Sequence, residues 1–554
     1  MPVLAGWLTG EQVPQEMIEQ VLLTMGNVLG EHAGQSNQSG GQQHQAGQQG
    51  QPGQPARTTQ PGAGLLAFAD AAYATRQRIE PPVLDWSPDR RTLVYRRPLS
   101  GAHPLYYIEN WPAQGNLLFA SEIKALFAVG APRRLHLPAL SALLRYGFIP
   151  APWTAFQDIS IVPAGSILRW QRSKTVVNPS TDYALEESPS PAQSLDLLDQ
   201  LSTLLDTTTA ALLPPHEQLV ALSRGNYASA LAFALAAQHG KTPFPVASLG
   251  YKKIPDKVEQ LADACQLPFL AISGVDRPEF WVATLLGLET PCIDSRQLAW
   301  HQLLHTVSVE TGARVALTGQ GAASLLAPPE QFKGSSTENS DVAEEQSILQ
   351  SYAQMISPAS IRPVSPLWSA EAAQLLREAS TWEETHHARK LARQAEKLPP
   401  EQRWRYLDLH LRLPDQLVGP AHQLAMQERI ALRSPYLIPE VMRLLASLPS
   451  TLTDGTSRQT VLNTLAKRYF PAEQIMKQNE QPSDMIPMHS LLDIEHSELL
   501  QQTLSAEALR ATGIFEVEPV QELVRTGKQA GIVTRELVMV FTTQLLCRLF
   551  GVGL

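Results

Sequence analysis

Between residues 218 and 317 short apolar runs alternate with longer helical patterns, and this alternation restricts the fold of the chain more than any other feature. Gln218–Leu222 reads as a strand and Tyr227–His239 as a helix rich in Ala and Leu. Pro245–Gly250 reads as a strand, Val258–Cys265 as a helix and Arg314–Leu317 as a further strand. Apolar strands joined through helices predict a parallel sheet covered on both faces, an α/β domain. From Ile348 onward the pattern is almost wholly helical. Ahead of the alternation the texture differs. Thr92–Tyr95, Leu105–Ile108, Leu117–Ala120 and Ser166–Trp170 read as short strands broken by turns, the pattern of an α+β domain.

With 554 residues the chain is too long for one ordinary core. The Ser- and Pro-rich stretch 186–194 separates the two textures, so the domains are expected at 1–185 and 195–554, the part from 348 to 554 being mostly helical. Residues 35–62, dominated by Gln, Gly and Ser, are expected to be disordered, because they offer too little apolar area to offset backbone entropy. A polar stretch, 333–346, is expected to form a mobile surface loop.

A net charge of −9 and a pI near 5.9 speak against nucleic-acid or membrane-surface partners, both of which are polyanions. Cys265, Cys292 and Cys547 form no disulfide framework and no metal-ligand spacing, which fits a reducing, cytoplasmic setting. The first residues lack the basic and apolar regions of a signal peptide. The apolar stretch Leu537–Leu554 carries Gln544 and Arg548 and reads as an amphipathic core helix, not a membrane span.

Several segments, in order, carry a resemblance. They are His103-Pro-Leu-Tyr-Tyr107, Phe119-Ala-Ser-Glu-Ile-Lys-Ala-Leu126, Tyr146-Gly-Phe-Ile-Pro-Ala-Pro152 and Val162-Pro-Ala-Gly165. After the boundary come Ala316-Leu-Thr-Gly-Gln-Gly-Ala322, Tyr406-Leu-Asp-Leu409, Leu413-Pro-Asp415 and Arg433-Ser-Pro-Tyr-Leu437. The ordered set resembles the glutamine-dependent asparagine synthetase family from about Leu93 to Phe550. The resemblance implies a degenerate, truncated Ntn-hydrolase-like glutamine amidotransferase domain, then an ATP-pyrophosphatase-like parallel-sheet domain. The family's chemistry is hydrolysis of glutamine and adenylation of aspartate with ATP and magnesium.

The residues that carry that chemistry are altered. Pro2 stands where the family has its nucleophilic cysteine, so no N-terminal nucleophile is expected. The ATP loop, Ser-Gly-Gly-x-Asp-Ser in the family, aligns with Ser223-Arg-Gly-Asn-Tyr-Ala-Ser229, which puts Arg224 at a glycine and Tyr227 at the aspartate. The second loop has Ala323 and Ser324 in place of two acids, and Ala431 stands at a further glutamate. The family's lysine aligns near Glu480, with Lys477 about three residues too early; a unit charge pair at about 4 Å is worth about 4 kcal/mol at an effective dielectric of about 20, so the reversal is costly. Magnesium needs carboxylate or phosphate oxygen and neither loop supplies one, so magnesium is left without ligands and ATP binding is weakened or lost.

A nucleotide, if held, would be held by main-chain groups, and the positions implied by the resemblance are Leu222, Ser223, Gly225, Leu249, Thr318 and Gly319. Arg224 reads as a surface residue on a vestigial loop, with phosphate binding by its added positive charge the alternative. No catalytic and no metal-binding residue is assigned. Three readings follow. The chain is a pseudoenzyme with a regulatory or scaffolding role, its partner an active relative or a biosynthetic enzyme, and homo-oligomers are open. Alternatively it is an ATP-dependent amide-forming enzyme, similar to asparagine synthetase, β-lactam synthetases or lasso-peptide cyclases, with magnesium ligands rewired to Asp256, Asp263 or Asp294. In the third reading it is an interaction module tethered by the Gln/Gly segment. His301 and His305, four apart without a nearby acid, read as structural; His386 and His387 read as a solvated face; Trp281, Trp300, Cys265 and Cys292 read as core.

Overall fold

The computed structural model describes residues 3–9, 13–33, 56–60, 63–68, 83–87, 90–179, 194–214, 218–240, 242–250, 256–274, 277–326, 348–357, 366–448, 458–470, 492 and 497–554. The boundary at 186–194, the loop at 333–346, Pro2, Lys477 and Glu480 lie outside these, except that a helix starts at Ser194.

The N-terminal half is two stacked antiparallel sheets. Its strands are β1 (Val3–Leu8), β2 (Ala56–Gln60), β3 (Ala63–Phe68), β4 (Val83–Ser87), β5 (Thr92–Arg96), β6 (Tyr106–Glu109), β7 (Leu117–Ala120), β8 (Ser160–Ile161), β9 (Ser166–Gln171) and β10 (Lys174–Pro179). They assemble as β2-β3-β1-β7-β6-β8 and β10-β9-β5-β4. Side chains alternate between the two faces of a strand. Leu4, Leu8, Tyr107, Leu117 and Phe119 therefore meet Leu93, Tyr95, Leu168 and Trp170 between the sheets. Ala5, Trp7, Tyr106, Ile108, Leu118 and Ala120 face the other way, into a core shared with helix Gln15–Ala33.

Six strands here, β1 to β4, β8 and β10, and the helices Gln15–Ala33, Ile123–Ala128 and Leu137–Tyr146 went unanticipated. β1 and β3 lie at or next to the centre of the larger sheet, and β2 falls inside the stretch expected to be disordered. Ala-Arg-Thr-Thr-Gln has no apolar face of its own; its ladder with β3, from Ala56↔Ala67 to Gln60↔Ala63, is what orders it. The remainder of 35–62, apart from 56–60, lies outside the described residues.

The C-terminal half is built on β11 (Leu219–Leu222), β12 (Val246–Gly250), β13 (Phe269–Ser273), β14 (Val315–Leu317) and β15 (Ala431–Arg433), all parallel, in the order β13-β12-β11-β14-β15. One face packs Ala221, Val246 and Leu317 on helices Ser194–Leu212 and Tyr227–His239. The other packs Val220, Leu222, Ala247, Ala316 and Leu432 in one core with helices Pro278–Leu288, Ser295–Thr311 and Arg535–Phe550. Helix Arg535–Phe550 has no solvated stripe: Leu537 through Cys547 are all buried, the polar Thr542, Thr543 and Gln544 among them. No described helix is long and apolar enough to cross a membrane.

The halves are joined by buried carboxylates. Glu289 accepts the amides of Ile123 and Lys124 at 2.7 and 2.8 Å, and Asp415 accepts the amide of Ala151 at 2.9 Å. Trp382 Nε1 donates to the Ala151 carbonyl at 2.9 Å and Gln423 Nε2 to the Tyr106 hydroxyl at 2.7 Å.

Candidate functional site

In an open α/β sheet ligands gather outside the carboxyl ends of the strands, where the strand order reverses. Here the order reverses between β11 and β14. All six positions expected to touch a nucleotide come together at that edge. Leu222 ends β11, and Ser223 and Gly225 form the turn into the next helix; Leu249 lies near the end of the adjacent β12; Thr318 and Gly319 follow β14.

Local chemistry explains the first loop. Gly225 sits at φ +79°, a left-handed conformation that a Cβ disfavours. Asn226 then caps the helix: its Oδ1 accepts the Ser229 amide at 2.9 Å. Ser223 Oγ accepts the Gly225 amide at 3.2 Å and lies 2.9 Å from Ser229 Oγ, so a short hydroxyl network closes the turn. The second loop packs directly on this turn. A Cβ at Gly319 would lie 2.4 Å from the Ser229 nitrogen and 2.6 Å from the Ala228 carbonyl carbon, a separation only glycine allows. The Thr318 amide donates to the Arg433 carbonyl at 2.8 Å, Ser434 Oγ to the Gln320 carbonyl at 2.7 Å, and the Tyr436 hydroxyl to the Ala228 carbonyl at 3.0 Å.

Around this framework the side chains are short of charge. Tyr227 is buried, its phenol pushed up to about 12 by burial, with Lys257 Nζ 5.2 Å from the ring centroid. Burial also lowers the Lys257 pKa. Ala323 is exposed and Ser324 buried. A phenol, a methyl and a hydroxyl do not make a magnesium site, which requires hard anionic oxygen. Ala431 is not at this edge. It pairs with Val315 at the start of β15, two residues before the carboxyl end, so its replacement bears on packing below the crevice. Arg224 is half-buried.

The aspartates considered as rewired ligands fare differently. Asp294 caps helix Ser295–Thr311 and is engaged by Arg296, whose Nε lies 2.9 Å from both carboxylate oxygens. Although burial opposes it, that arginine holds the Asp294 pKa below the usual range. Asp263 is exposed, and Asp256 opens helix Asp256–Ala264. Among the described residues no group of three or more His, Cys, Asp or Glu side chains is arranged to hold a metal ion.

Two histidine readings change. His301 and His305 do have an acid beside them: Glu428 Oε1 lies 3.2 Å from His301 Nε2, and both Glu428 oxygens lie 3.2 Å from His305 Nδ1. Glu428 is 127 and 123 residues away in sequence, so no spacing announces it. His387 is not on a solvated face. Its Nε2 is buried without a hydrogen-bond partner, and burial, with His410 nearby, pushes its pKa down to about 3. Trp281 is buried and Trp300 packs partly buried on the same core. Cys292 is buried and burial raises its pKa to about 12; Cys265 rises to about 11 for the same reason, so neither is primed as a nucleophile.

Comparison with known proteins agrees with this architecture. Residues 228–547 match the asparagine synthase family and residues 83–183 match the glutamine amidotransferase domain. No curated protein matches. Among solved structures, an NMN synthetase from Francisella tularensis is similar at 14% identity over 43% of this chain and 98% of that one, with a TM-score of 0.18, too low to transfer fold or function. The synthase match covers more than half of the 554 residues and contains the helix, second loop and β15 that build the crevice, and the chain therefore belongs to the asparagine synthase family, whose members carry out ATP-dependent amidation.

Proposed function

We propose that this chain is a non-catalytic member of its family that works by binding, as a regulatory or scaffolding subunit, and that its crevice still accepts a nucleotide through main-chain groups. One observation carries the reading. The two loops at the strand-order reversal keep close backbone packing, with Gly319 against Ser229, while the positions expected to carry acids hold Tyr227, Ala323 and Ser324. Backbone amides at a helix start favour an anion whatever the side chains are. Without carboxylates, however, the described residues of these two loops do not position a magnesium ion to neutralise charge on departing phosphates. Leu222, Ser223, Gly225, Leu249, Thr318 and Gly319 are the contacts we assign to such a nucleotide. The protein partner we expect is an active relative, a biosynthetic enzyme or a second copy, in the cytoplasm. Domain limits of 1–185 and 195–554 belong to the same reading.

Calorimetric titration with ATP, with and without magnesium, alongside pyrophosphate-release assays across amino-acid acceptors, tests this. ATP affinity that changes less than about threefold on adding magnesium, with no acceptor-dependent pyrophosphate, is the expected result. Sustained formation of AMP and pyrophosphate with any acceptor refutes it and favours an amide-forming enzyme.

A further inference from the structure

The two halves meet over a cavity of about 60 Å³ whose lining includes Arg97, Tyr106, Ile149, Glu289, Asp415 and Gln423. That is room for about four to six water-sized positions. Its polar groups are incompletely used. Arg97, 1% exposed, donates through Nη1 to the Val162 carbonyl and through Nη2 to the Gly101 carbonyl, both at 2.7 Å, but its buried Nε has no partner. Asp415 spends Oδ2 on the Ala151 amide, while Oδ1 stands 3.9 Å from Arg97 Nη1, beyond hydrogen-bond reach. The Tyr106 oxygen accepts from Gln423, which leaves its own proton to donate. Each Glu289 oxygen accepts one amide and keeps a further lone pair. Buried polar groups of both kinds are costly to leave unmade.

We propose that this junction cavity binds a small zwitterionic α-amino acid of glycine or alanine size, its carboxylate taken by Arg97 and Tyr106 and its ammonium by Asp415 and Glu289. The lining selects for both ends at once. A plain carboxylate would face Asp415 and Glu289 at close range, and a plain ammonium would face the guanidinium. A molecule carrying both charges satisfies the unused donors and acceptors together. The volume sets the upper size. Such a ligand would touch both halves of the chain, so occupancy would tighten their union.

Calorimetric titration of the full-length chain with glycine, L-alanine, acetate, methylammonium and acetamide tests the assignment. Glycine and alanine should bind saturably, at least tenfold tighter than the other three. Tyr106→Phe and Asp415→Asn should each weaken glycine by about tenfold or more, the scale of one hydrogen bond to a charged group. The melting temperature of unliganded Tyr106→Phe should stay within a few degrees of the parent, so that lost affinity is not lost folding; if Asp415→Asn does not fold, Glu289→Gln replaces it. Absence of saturable glycine and alanine binding, acetamide binding as well as glycine, or unchanged affinity in Tyr106→Phe each overturns the proposal. No nucleotide is present in these titrations, so their outcome is separate from that of the crevice.

Discussion

The crevice at the carboxyl edge of the parallel sheet and the junction between the halves are built from opposite materials. The crevice is held by backbone packing and neutral groups: Gly319 on Ser229, the Asn226 cap, Ser223 with Ser229, and Tyr436 on the Ala228 carbonyl. The junction is held by buried ionisable groups: Arg97, Glu289 and Asp415, with Glu122 and Lys124 paired at 2.7 Å beside them. Isolated buried charge is expensive, and it persists only where it satisfies donors that would otherwise be stranded. At the junction those donors are backbone amides of the N-terminal half, which no neutral aliphatic residue could satisfy. At the crevice the Gly225 and Ser229 amides are capped within the loop by neutral side chains, so charge can be absent without unfolding it. Loss of chemistry and retention of architecture are therefore compatible in one chain.

The sharpest way to break this contrast is Glu289→Ala. It strands the Ile123 and Lys124 amides, and at about 1–3 kcal/mol for each buried donor the loss should be roughly 2–6 kcal/mol in urea unfolding. Glu289→Gln keeps an acceptor and should lose clearly less. A cost below about 1 kcal/mol for the alanine variant would mean that the junction is not held by this carboxylate.

A pH series separates the junction carboxyls from the buried imidazoles, one of which, His422, packs on His103 at the junction itself. Burial raises Glu289 to about 7 and Asp415 to about 6, above their ordinary values. Their folded forms bind protons that the unfolded chain does not, so their contribution is greatest at low pH and is lost as pH rises toward 7. His387, His410 and His422 are pushed down by burial to about 3, 4 and 4. Their contribution is present above pH 6.5 and is lost as pH falls below it. Melting temperature should therefore fall between pH 7 and 5, with the carboxyls opposing the fall. The double variant Glu289→Gln, Asp415→Asn should steepen the decline, and His387→Gln with His410→Gln should flatten it. The reverse pattern would assign the buried protons wrongly.

The smallest expected effect lies in the crevice. Asn226→Ala removes the cap on the Ser229 amide and should cost about 1 kcal/mol, while Asn226→Asp should cost little, because aspartate caps equally well. A loss several times larger would show that the loop depends on its side chains as heavily as the junction does.

Much of the sheet domain could be read directly from the chain. Helix Tyr227–His239 occurs with the limits its pattern predicts, and the strands on either side begin one residue late and end at the expected residue. The edge strands were not legible. In β13 only Ile272 is buried, the others being half-buried or exposed, and β15 is three residues whose strand character comes from pairing with β14. In the N-terminal half, β1 and β3 were missed because their ladder partners lie about 60 residues apart, across a low-complexity stretch. The burial of His387 was missed for a related reason. Helix His386–Glu396 buries Ala388, Leu391 and Ala395, and His387 flanks that face next to His410, which reaches it from another helix.

By itself the sequence determined the parallel-sheet domain, the loop that enters Tyr227–His239 and the absence of acids from both crevice loops. These are properties of neighbouring residues: hydrophobic period, turn glycines and caps act within one or two helical turns. Only the tertiary structure decided that the six main-chain positions share one edge, that Ala431 stands apart from them, and that Glu289 reaches amides 165 and 166 residues away. A hydrogen bond across that separation leaves no periodic trace in the chain. It exists because two folded halves present a stranded amide and a carboxylate to the same buried space.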